Sequence, residues 1–439
     1  MGAGPAARPG DAPTTEDPAR RRLYTRISWR LLPFLFLCYF VNYLDRINVS
    51  FAKLQMTSDL HLSEYVYGLG AGIFFLGYVL FEVPSNLIMH RVGARFWMAR
   101  IMISWGIISA LFAFVQTPTQ FYILRFLLGV AEAGFAPGVL LYITYWFPAA
   151  RRARALSLYY IAIPMSGALG APLSGWIMET FHGTSGWGGW RWLFLIEALP
   201  AFAIGIFTFW LLPNRPADVS WLSPAEKQII TEDLAEDEMA TGGHPSVRQF
   251  LADKRLWVLS ILYFAIVVGH YTVTFWLSSI VKNAGVSDPL KNGLLSSLPF
   301  FAAVIAMVVL GRSSDRSRKR RLHLFIPMVV GAVALMLSPM AENSLVLSMV
   351  LLSFATAGLL SSTALFWSIP PLLLSGVWAA AGIAAINSIG NIAGFASPFA
   401  LGWILDVTKS LNAGLYTMAA IVLLGTLLLK LLPARQVDR

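Results

Sequence analysis

Long apolar segments alternate with short polar segments along most of the chain. A helix needs about 20 mainly apolar residues to cross the hydrocarbon core of a bilayer. We therefore predict twelve membrane-spanning helices, at residues 28–50, 65–89, 96–116, 119–147, 154–178, 191–212, 257–281, 292–311, 322–340, 345–369, 377–404 and 412–432. The pattern predicts an all-α membrane protein.

The longest polar segment, residues 213–256, divides the predicted spans into two sets of six. We interpret this segment as a cytoplasmic linker between two six-helix bundles, at residues 20–212 and 257–432. The Gly-, Ala- and Pro-rich residues 1–19 are predicted to form a disordered cytoplasmic tail, and residues 433–439 form a second, shorter tail.

The linker contains the stretch "SPAEKQIITEDLAEDE", in which Ser223, Pro224 and Glu226 have the residue types and spacing of a helix N-terminus with a capping box. This stretch predicts a surface helix. The acidic run at residues 232–238 is most simply a solvated face of that helix.

Composition agrees with a membrane location. The chain is 57% hydrophobic and 13% charged, whereas charged residues reach about 25% in soluble domains. The single cysteine, Cys38, excludes an internal disulfide and a thiolate metal cluster.

The positive charge follows the pattern of membrane topology. If the N-terminus is cytoplasmic, 26 of the 33 Lys and Arg residues lie in cytoplasmic segments, as expected of short cytoplasmic loops. We predict a multi-pass protein of the cell membrane with both termini in the cytoplasm. The net charge of +10 is accounted for in this way, and no nucleic-acid partner is predicted.

Two pairs of charged residues lie within predicted spans. Asp45 and Arg46 stand together in "FVNYLDRINVS", and Arg125 and Glu132 are 7 residues apart in the fourth span, on nearly one helix face. Charged residues at bilayer depth are costly and are usually paired, inward-facing and functional. We predict a site at these four residues; the alternative is a fixed ion network of Arg125, Glu132 and Asp45.

The chemistry of the four residues favours anion binding. A guanidinium group binds a carboxylate at two points and does not deprotonate, which makes Arg46 the first candidate for this contact. Burial penalises the charged form of a carboxyl group, so Asp45 and Glu132 are candidates for carrying protons. One bound carboxylate makes the neutral site negative, and one proton restores neutrality.

Two loops indicate that the halves are copies of each other. "NLIMHRVGAR" (86–95) follows the second span and "GRSSDRSRKR" (311–320) follows the eighth. Such symmetry is typical of a two-bundle secondary transporter with its site between the bundles. The loop residues predicted to lock the inner face shut are Arg91, Arg95, Asp315 and Arg316.

The second loop resembles the signature loop of the major facilitator superfamily, G-x-x-x-D-R-x-G-R-R. The strings "YLDRINVSFA", "GYVLFEVPSNL", "RFLLGVAEAGFAPGVLLYITYWFP", "WRWLFLIEALPA" and "INSIGNIAGFASPFALGWI" are similar to its anion:cation symporter family. The similarity covers about residues 20–435 and is greatest to bacterial permeases for tartrate, sugar acids, phthalate and hydroxyphenylacetate. In the first-half loop, His90 replaces the aspartate of the signature.

The resemblance implies import of an organic anion by proton symport, with the proton gradient as energy source and no cofactor. It also implies roles for Asp45, Arg46, Arg125 and Glu132. Aliphatic hydroxy acids and aromatic acids remain equal alternatives as substrates, and the fold usually works as a monomer. The rival functions are export or exchange of another substrate and ligand reception without transport.

Residues of the second half are weaker candidates. Asn387, Asn391, Tyr271 and Trp276 are predicted to contact the substrate, although helix-to-helix hydrogen bonding is an equal alternative for the two asparagines. His270 is expected to be a hydrogen-bonded core residue. Ser278 stands where the family often has proline, which affects the expected bend of the seventh span.

Two further acidic residues, Glu82 and Glu197, are expected near the membrane faces as partners of loop cations. The chain contains no phosphate-binding loop of the G-x-x-x-x-G-K-[ST] type and no H-E-x-x-H motif. It is therefore not predicted to be an enzyme, and no metal site is predicted.

Overall fold

The computed structural model describes residues 17–239, 252–341, 344–374 and 377–438. Every regular element in these ranges is helical. Twelve helical segments of this part are long and apolar enough to cross a membrane. The predicted class and number of spans are therefore confirmed.

The α-helices are numbered in chain order. Those of the first half are α1 (Pro18–Asp59), α2 (Glu64–Val92), α3 (Ala94–Leu111), α4 (Pro118–Glu132), α5 (Phe135–Thr144), α6 (Ala149–Tyr160), α7 (Ala162–Thr180) and α8 (Gly189–Leu211). The linker carries α9 (Pro224–Met239). The others are α10 (Lys254–Asn283), α11 (Pro289–Ser317), α12 (Arg320–Leu337), α13 (Leu345–Phe366), α14 (Pro370–Leu373), α15 (Val377–Thr408), α16 (Leu411–Leu427) and α17 (Ala434–Val437).

Helix α1 begins before the first predicted span and is 42 residues long. The Asp17 side chain accepts a hydrogen bond from the backbone N–H of Ala19, and Pro18 occupies the first helical position, where its missing N–H costs nothing. Pro18 and Ala19, which the sequence assigns to the tail, are thus helical. Residues 1–16 of the predicted tail and residues 240–251 of the predicted linker lie outside the described ranges.

The fourth span differs from the continuous helix predicted for residues 119–147. Helix α4 ends at Glu132, and Gly134 has a φ of +84° before α5 begins at Phe135. This left-handed conformation favours glycine, since a side chain would be strained there. The break places Glu132 at the end of a helix.

Two pairs of helices form the most extensive contacts between the halves of the molecule. Helix α2 packs along α15, and α7 packs along α11. In the first pair the backbones approach so closely that a Cβ atom added at Gly68 would lie 2.3 Å from the carbonyl oxygen of Pro398. Small residues permit such close approach between membrane helices.

The linker helix α9 docks against the start of α1. Asp233 accepts a hydrogen bond from the Tyr24 hydroxyl at 2.8 Å and forms a salt bridge with Arg20 at 2.9 Å. Glu226 forms a salt bridge with Arg26 at 2.6 Å. The expectation of a purely solvated acidic run is therefore wrong at Asp233, which is buried because α9 lies on α1.

The N-terminus of α9 has the reciprocal hydrogen bonds of a capping box. The Ser223 hydroxyl accepts from the backbone N–H of Glu226, and the Glu226 carboxylate accepts from the backbone N–H of Ser223. This backbone N–H, with help from Arg26, holds the pKa of Glu226 below its usual range. The contacts of Glu226 therefore weaken as the pH falls through that lowered pKa.

Candidate functional site

Arg46 and Glu132 form an ion pair in the interior of the first bundle. The Arg46 Nε atom on α1 lies 3.1 Å from Oε2 of Glu132 at the end of α4. The amide of Asn42, one turn before Arg46, donates to the same oxygen at 2.7 Å. Glu132 is fully buried and Arg46 is 6% exposed. The structure therefore brings two of the four predicted residues into direct contact.

Aromatic rings surround the Arg46 guanidinium. Its central carbon lies 5.1 to 5.2 Å from the ring centroids of Tyr43, Phe74 and Tyr78. Cation–π contacts of this kind are strongest when water is excluded. The terminal Nη2 atom is buried and makes no hydrogen bond of ordinary geometry with a described residue. The Nη2 atom thus remains available beside the Nε–Glu132 contact, while Tyr78 also interacts with the guanidinium.

Asp45 is directed away from Arg46, toward other helices of the same bundle. Its Oδ1 atom accepts from the Ser109 hydroxyl of α3 at 2.8 Å and from the Asn48 amide at 3.1 Å. Glu197 of α8 interacts electrostatically with Asp45 and accepts a hydrogen bond from Ser174 at 2.7 Å. Two acidic residues therefore lie near each other inside the first bundle.

Arg125 contacts backbone rather than an acidic partner. Its Nε and Nη2 atoms donate to the carbonyl oxygens of Gly70 and Ala71 on α2, at 3.2 and 3.1 Å. These bonds fix Arg125 between α4 and α2. In the described part, the ion pair of this region joins Glu132 to Arg46, so the alternative of a network of Arg125, Glu132 and Asp45 is not the arrangement observed.

Residues of the second half approach Arg46 from α10. Tyr271 is buried, interacts electrostatically with Arg46, and packs on Phe75 with ring centroids 4.6 Å apart. His270 contacts the Thr363 hydroxyl through Nδ1 at 3.2 Å, and its ring centroid lies 6.3 Å from that of Tyr43. His270 is thus a hydrogen-bonded, buried residue at the junction of the two bundles.

Glu82 of α2 belongs to the cluster of polar residues around Arg46, which the sequence did not predict. Its carboxylate accepts from the Asn387 amide of α15 at 2.9 Å, and it interacts with Asn391 and Arg46. The expectation that Glu82 pairs with a loop cation is wrong, because α2 packs along α15 and turns this carboxylate toward it. The expectation for Glu197 is also wrong, since its described partner is Ser174.

We expect the Glu82–Asn387 contact to couple the stabilities of the two bundles. Glu82→Ala and Asn387→Ala should each lower stability by about 1–3 kcal/mol, because the partner left unsatisfied is buried at Glu82 and half-buried at Asn387. The Glu82→Ala/Asn387→Ala double variant should be no less stable than either single variant. A thermal-unfolding cycle over the four proteins checks this, and strictly additive losses would show that the contact is absent.

Trp276 lies apart from this cluster. The Nζ atom of Lys53 sits 3.7 Å above its ring, and Lys53 also forms a salt bridge with Glu64 at 2.6 Å. Lys53 donates to the Ser279 hydroxyl at 3.1 Å. Trp276 therefore takes part in the contact between the bundles near the α1–α2 loop. Its contact with substrate stays a prediction, and the described contacts of Trp276 do not include Arg46.

Several other contacts close the bundles at this same end, which we call the closed end. Ser278 bonds to the hydroxyl of Ser50 at 2.7 Å, and the Tyr67 hydroxyl donates to the carbonyl oxygen of Phe275 at 3.0 Å. The backbone N–H of Tyr65 donates to Asp406 at 2.7 Å. Ser278 thus serves in closure, and α10 contains no proline.

The predicted gating residues lie at the opposite end. The side chains of Arg91, Asp315 and Arg316 are exposed and make no hydrogen bond or ion pair with any described residue. Arg95 instead binds within the first bundle, where its Nε atom donates to the carbonyl oxygen of Leu212 at 2.9 Å. The predicted lock at this end is therefore not formed in this conformation.

Replacing Gly68 by alanine should open the closed end. The added Cβ would meet backbone of α15 at 2.3 Å, and overpacking of this kind costs about 1–3 kcal/mol. A cysteine placed at Ser50 should then react about tenfold faster with an impermeant maleimide. Gly311→Ala is the matched control, because nothing lies within 4 Å of that position; equal rates in both variants would contradict the prediction.

The buried charges of this region do not cancel. Arg46 and Arg125 are two cations, whereas Asp45, Glu82, Glu132 and Glu197 are four acids, all buried. Uncompensated charge in a low-dielectric interior costs several kcal/mol. The acids of this arrangement can therefore take up protons, and an anion can bind at Arg46 when protons have removed part of the negative excess. The described residues contain no group of His, Cys, Asp and Glu suited to a metal ion.

Comparisons with known proteins agree with this architecture. The family model described as Major Facilitator Superfamily matches residues 35–398. The candidate metabolite transport protein NicT of Pseudomonas putida is 46% identical and covers 96% of this chain and 97% of its own. A candidate tartrate transporter of Agrobacterium vitis is also 46% identical, covering 93% and 90%.

A solved structure shares the fold. The crystal structure of a D-xylose-proton symporter superposes with a TM-score of 0.75, covering 92% of this chain and 98% of that one. Its sequence is 15% identical, so this likeness concerns the fold alone.

Proposed function

Since the chain belongs to the major facilitator superfamily, a family of transporters, we propose that it imports an organic anion by proton symport. It is a multi-pass membrane protein. The observation that carries the proposal is the Arg46 guanidinium, which is buried in the first bundle beside Tyr271 of the second and whose Nη2 atom has no hydrogen-bond partner among the described residues. A carboxylate that binds at Arg46 leaves the Arg46–Glu132 pair with one excess negative charge, which one proton on Glu132 removes.

The proposed anion contacts come from both bundles. Arg46 binds the carboxylate, Tyr271 covers it from α10, and Asn387 and Asn391 lie at the α15 side through their contact with Glu82. Arg125 serves the site by fixing α4 against α2, which positions Glu132. Because the proposed substrate contacts come from both bundles, substrate binding can favour one arrangement of the bundles over another. Alternating access requires such a change in arrangement.

Protons enter the proposed cycle at Glu132 and Asp45. Binding an anion at Arg46 competes with Glu132 for the same guanidinium, so Glu132 must take up a proton or remain as an unpaired buried charge. Asp45 is positioned for a second proton beside Ser109 and Glu197. The transport unit is proposed to be a monomer in the cell membrane, with both termini in the cytoplasm.

The substrate is proposed to be a small carboxylate, such as tartrate, a sugar acid or an aromatic acid. The 46% identical relative named for tartrate supports the hydroxylated class. Asn387 and Glu82 provide a donor and an acceptor for a hydroxyl group beside the carboxylate site.

Uptake by proteoliposomes tests this function. Radiolabelled tartrate, galactonate, phthalate and hydroxyphenylacetate are offered at an external pH of about 6 and a lumenal pH of about 7.5. We expect one class to accumulate above its external concentration and to leave when a protonophore is added. Uptake that only equilibrates would contradict proton coupling, and outward movement in inverted vesicles alone would indicate an exporter.

A further inference from the structure

His270 of α10 is a buried histidine with one ring nitrogen unused. Its Nδ1 atom contacts the Thr363 hydroxyl of α13 at 3.2 Å, whereas Nε2 is buried and has no hydrogen-bond partner among the described residues. The residue is 3% exposed. Buried polar atoms normally have a partner, and one that lacks a partner needs an explanation. The Nε2 atom is therefore a candidate contact for a ligand.

The unpaired nitrogen lies in the region of the Arg46 guanidinium. The Tyr43 ring centroid is 6.3 Å from that of His270 and 5.2 Å from the central carbon of the guanidinium. His270 also interacts electrostatically with Arg46. Because Nδ1 faces α13, the other nitrogen of the ring is directed away from α13. A ligand at this place would contact α1 of the first bundle and α10 of the second.

The hydrogen bonds of Thr363 assign the hydrogen of the imidazole ring. The Thr363 hydroxyl donates to the carbonyl oxygen of Leu359 at 3.4 Å, a bond that helical threonines often make. The hydroxyl is therefore an acceptor toward His270, and Nδ1 carries the hydrogen. A second buried cation beside Arg46 would be costly, so we assign the ring as neutral. The Nε2 atom then accepts a hydrogen bond.

An unused donor and an unused acceptor thus lie beside the same tyrosine ring. The Nη2 atom of Arg46 lacks an acceptor, and the Nε2 atom of His270 lacks a donor. A hydroxy acid supplies both, because its carboxylate accepts and its hydroxyl group donates. An acid without a hydroxyl group would leave Nε2 unpaired. An ammonium group would place a second cation beside Arg46.

We propose that His270 determines specificity by accepting a hydrogen bond at Nε2 from a hydroxyl group of the acid that binds at Arg46. This inference rests on the proposed function, since it places the carboxylate at Arg46. It adds the residue that selects hydroxy acids over acids without the hydroxyl group. A site that hydrogen-bonds a substrate hydroxyl rejects analogues that lack it, because the buried polar atom of the site is then unpaired.

Calorimetric titration of the purified protein measures this selectivity without a proton gradient. Two pairs of acids differ only in hydroxyl groups: tartrate and succinate, and hydroxyphenylacetate and phenylacetate. We expect the wild-type protein to bind the hydroxylated member of one pair at least about tenfold more tightly. Aspartate, which carries an ammonium group in place of a hydroxyl, should bind no more tightly than succinate.

Two replacements separate the two ring nitrogens. His270→Asn can keep the contact to Thr363 but has no polar atom at the position of Nε2, so the preference for the hydroxylated acid should fall about tenfold. His270→Gln can place an amide oxygen near that position and should retain most of the preference. Thr274→Val is the matched control, because the Thr274 hydroxyl on the same helix donates to the carbonyl oxygen of His270; this variant should keep the wild-type preference.

The outcomes separate this inference from the proposed function. Equal affinities within both pairs, tighter binding of aspartate than of tartrate, or an unchanged preference in His270→Asn would overturn the role of His270 and leave the import of an organic anion standing. A preference that depends on His270 in titration, together with uptake by proteoliposomes that only equilibrates, would support the role of His270 and overturn proton symport alone.

Discussion

A Glu132→Gln variant is expected to lose proton-driven accumulation of the anion while keeping exchange of labelled for unlabelled anion. Glutamine can still accept from Asn42 and Arg46, so the geometry at the Arg46 guanidinium is retained. It cannot ionise, so the charge on Arg46 is no longer balanced in the empty carrier. If the unpaired charge on Arg46 costs about 3 kcal/mol in the step that returns the empty carrier, that step becomes at least about 100-fold slower.

The measurement compares gradient-driven uptake with counterflow in the same proteoliposomes. Asp45→Asn should likewise lose gradient-driven uptake and keep counterflow, because asparagine can keep the contacts to Ser109 and Asn48. Glu179→Gln is the matched control, since Glu179 is exposed at the end of α7. Concentrative uptake by Glu132→Gln at the normal rate would remove Glu132 from the coupling mechanism.

An Arg46→Lys variant is expected to bind the anion about 10- to 100-fold more weakly, even though the charge is conserved. Lysine offers a point charge and cannot make the two-pronged contact of a guanidinium. Losing one charge-assisted hydrogen bond costs about 1.5–3 kcal/mol. Titration of the purified protein, followed by thermal stabilisation or calorimetry, measures the change in Kd.

Arg125→Lys is the control that separates binding from structure. Arg125 donates to the backbone of α2, so its replacement should lower the unfolding temperature and leave the anion affinity within about fivefold. If Arg125→Lys weakened binding as strongly as Arg46→Lys, Arg125 would be a direct ligand. If Arg46→Lys bound normally, the anion site would lie elsewhere.

The charged residues at bilayer depth could be predicted from sequence because the cost of burying a charge depends mainly on the span that carries it. An acid or arginine inside an apolar helix is costly wherever the helix packs, and this singles out Arg46 and Glu132 without knowledge of their neighbours. Their actual pairing, and the turn of Asp45 toward Ser109, depend on helix rotation and on the ending of α4 at Glu132.

Glu82 shows what the sequence could not supply. Its partner Asn387 is 305 residues away, and only the packing of α2 along α15 brings the two together. The sequence placed Glu82 near a membrane face, whereas the packing of α2 along α15 puts its carboxylate at the bundle interface. The position of Trp276 beside Lys53 could not be predicted either, since residue type alone does not distinguish a pocket wall from the closed end.

Joint movement of one organic anion and protons through the Arg46 site can be measured by adding each candidate acid outside proteoliposomes whose lumen holds a pH-sensitive dye. We expect one acid to acidify the lumen with the wild-type protein, Glu132→Gln to abolish the signal, and Glu179→Gln to preserve it. Accumulation of an acid without lumenal acidification, or acidification that persists in Glu132→Gln, would contradict proton symport through this site.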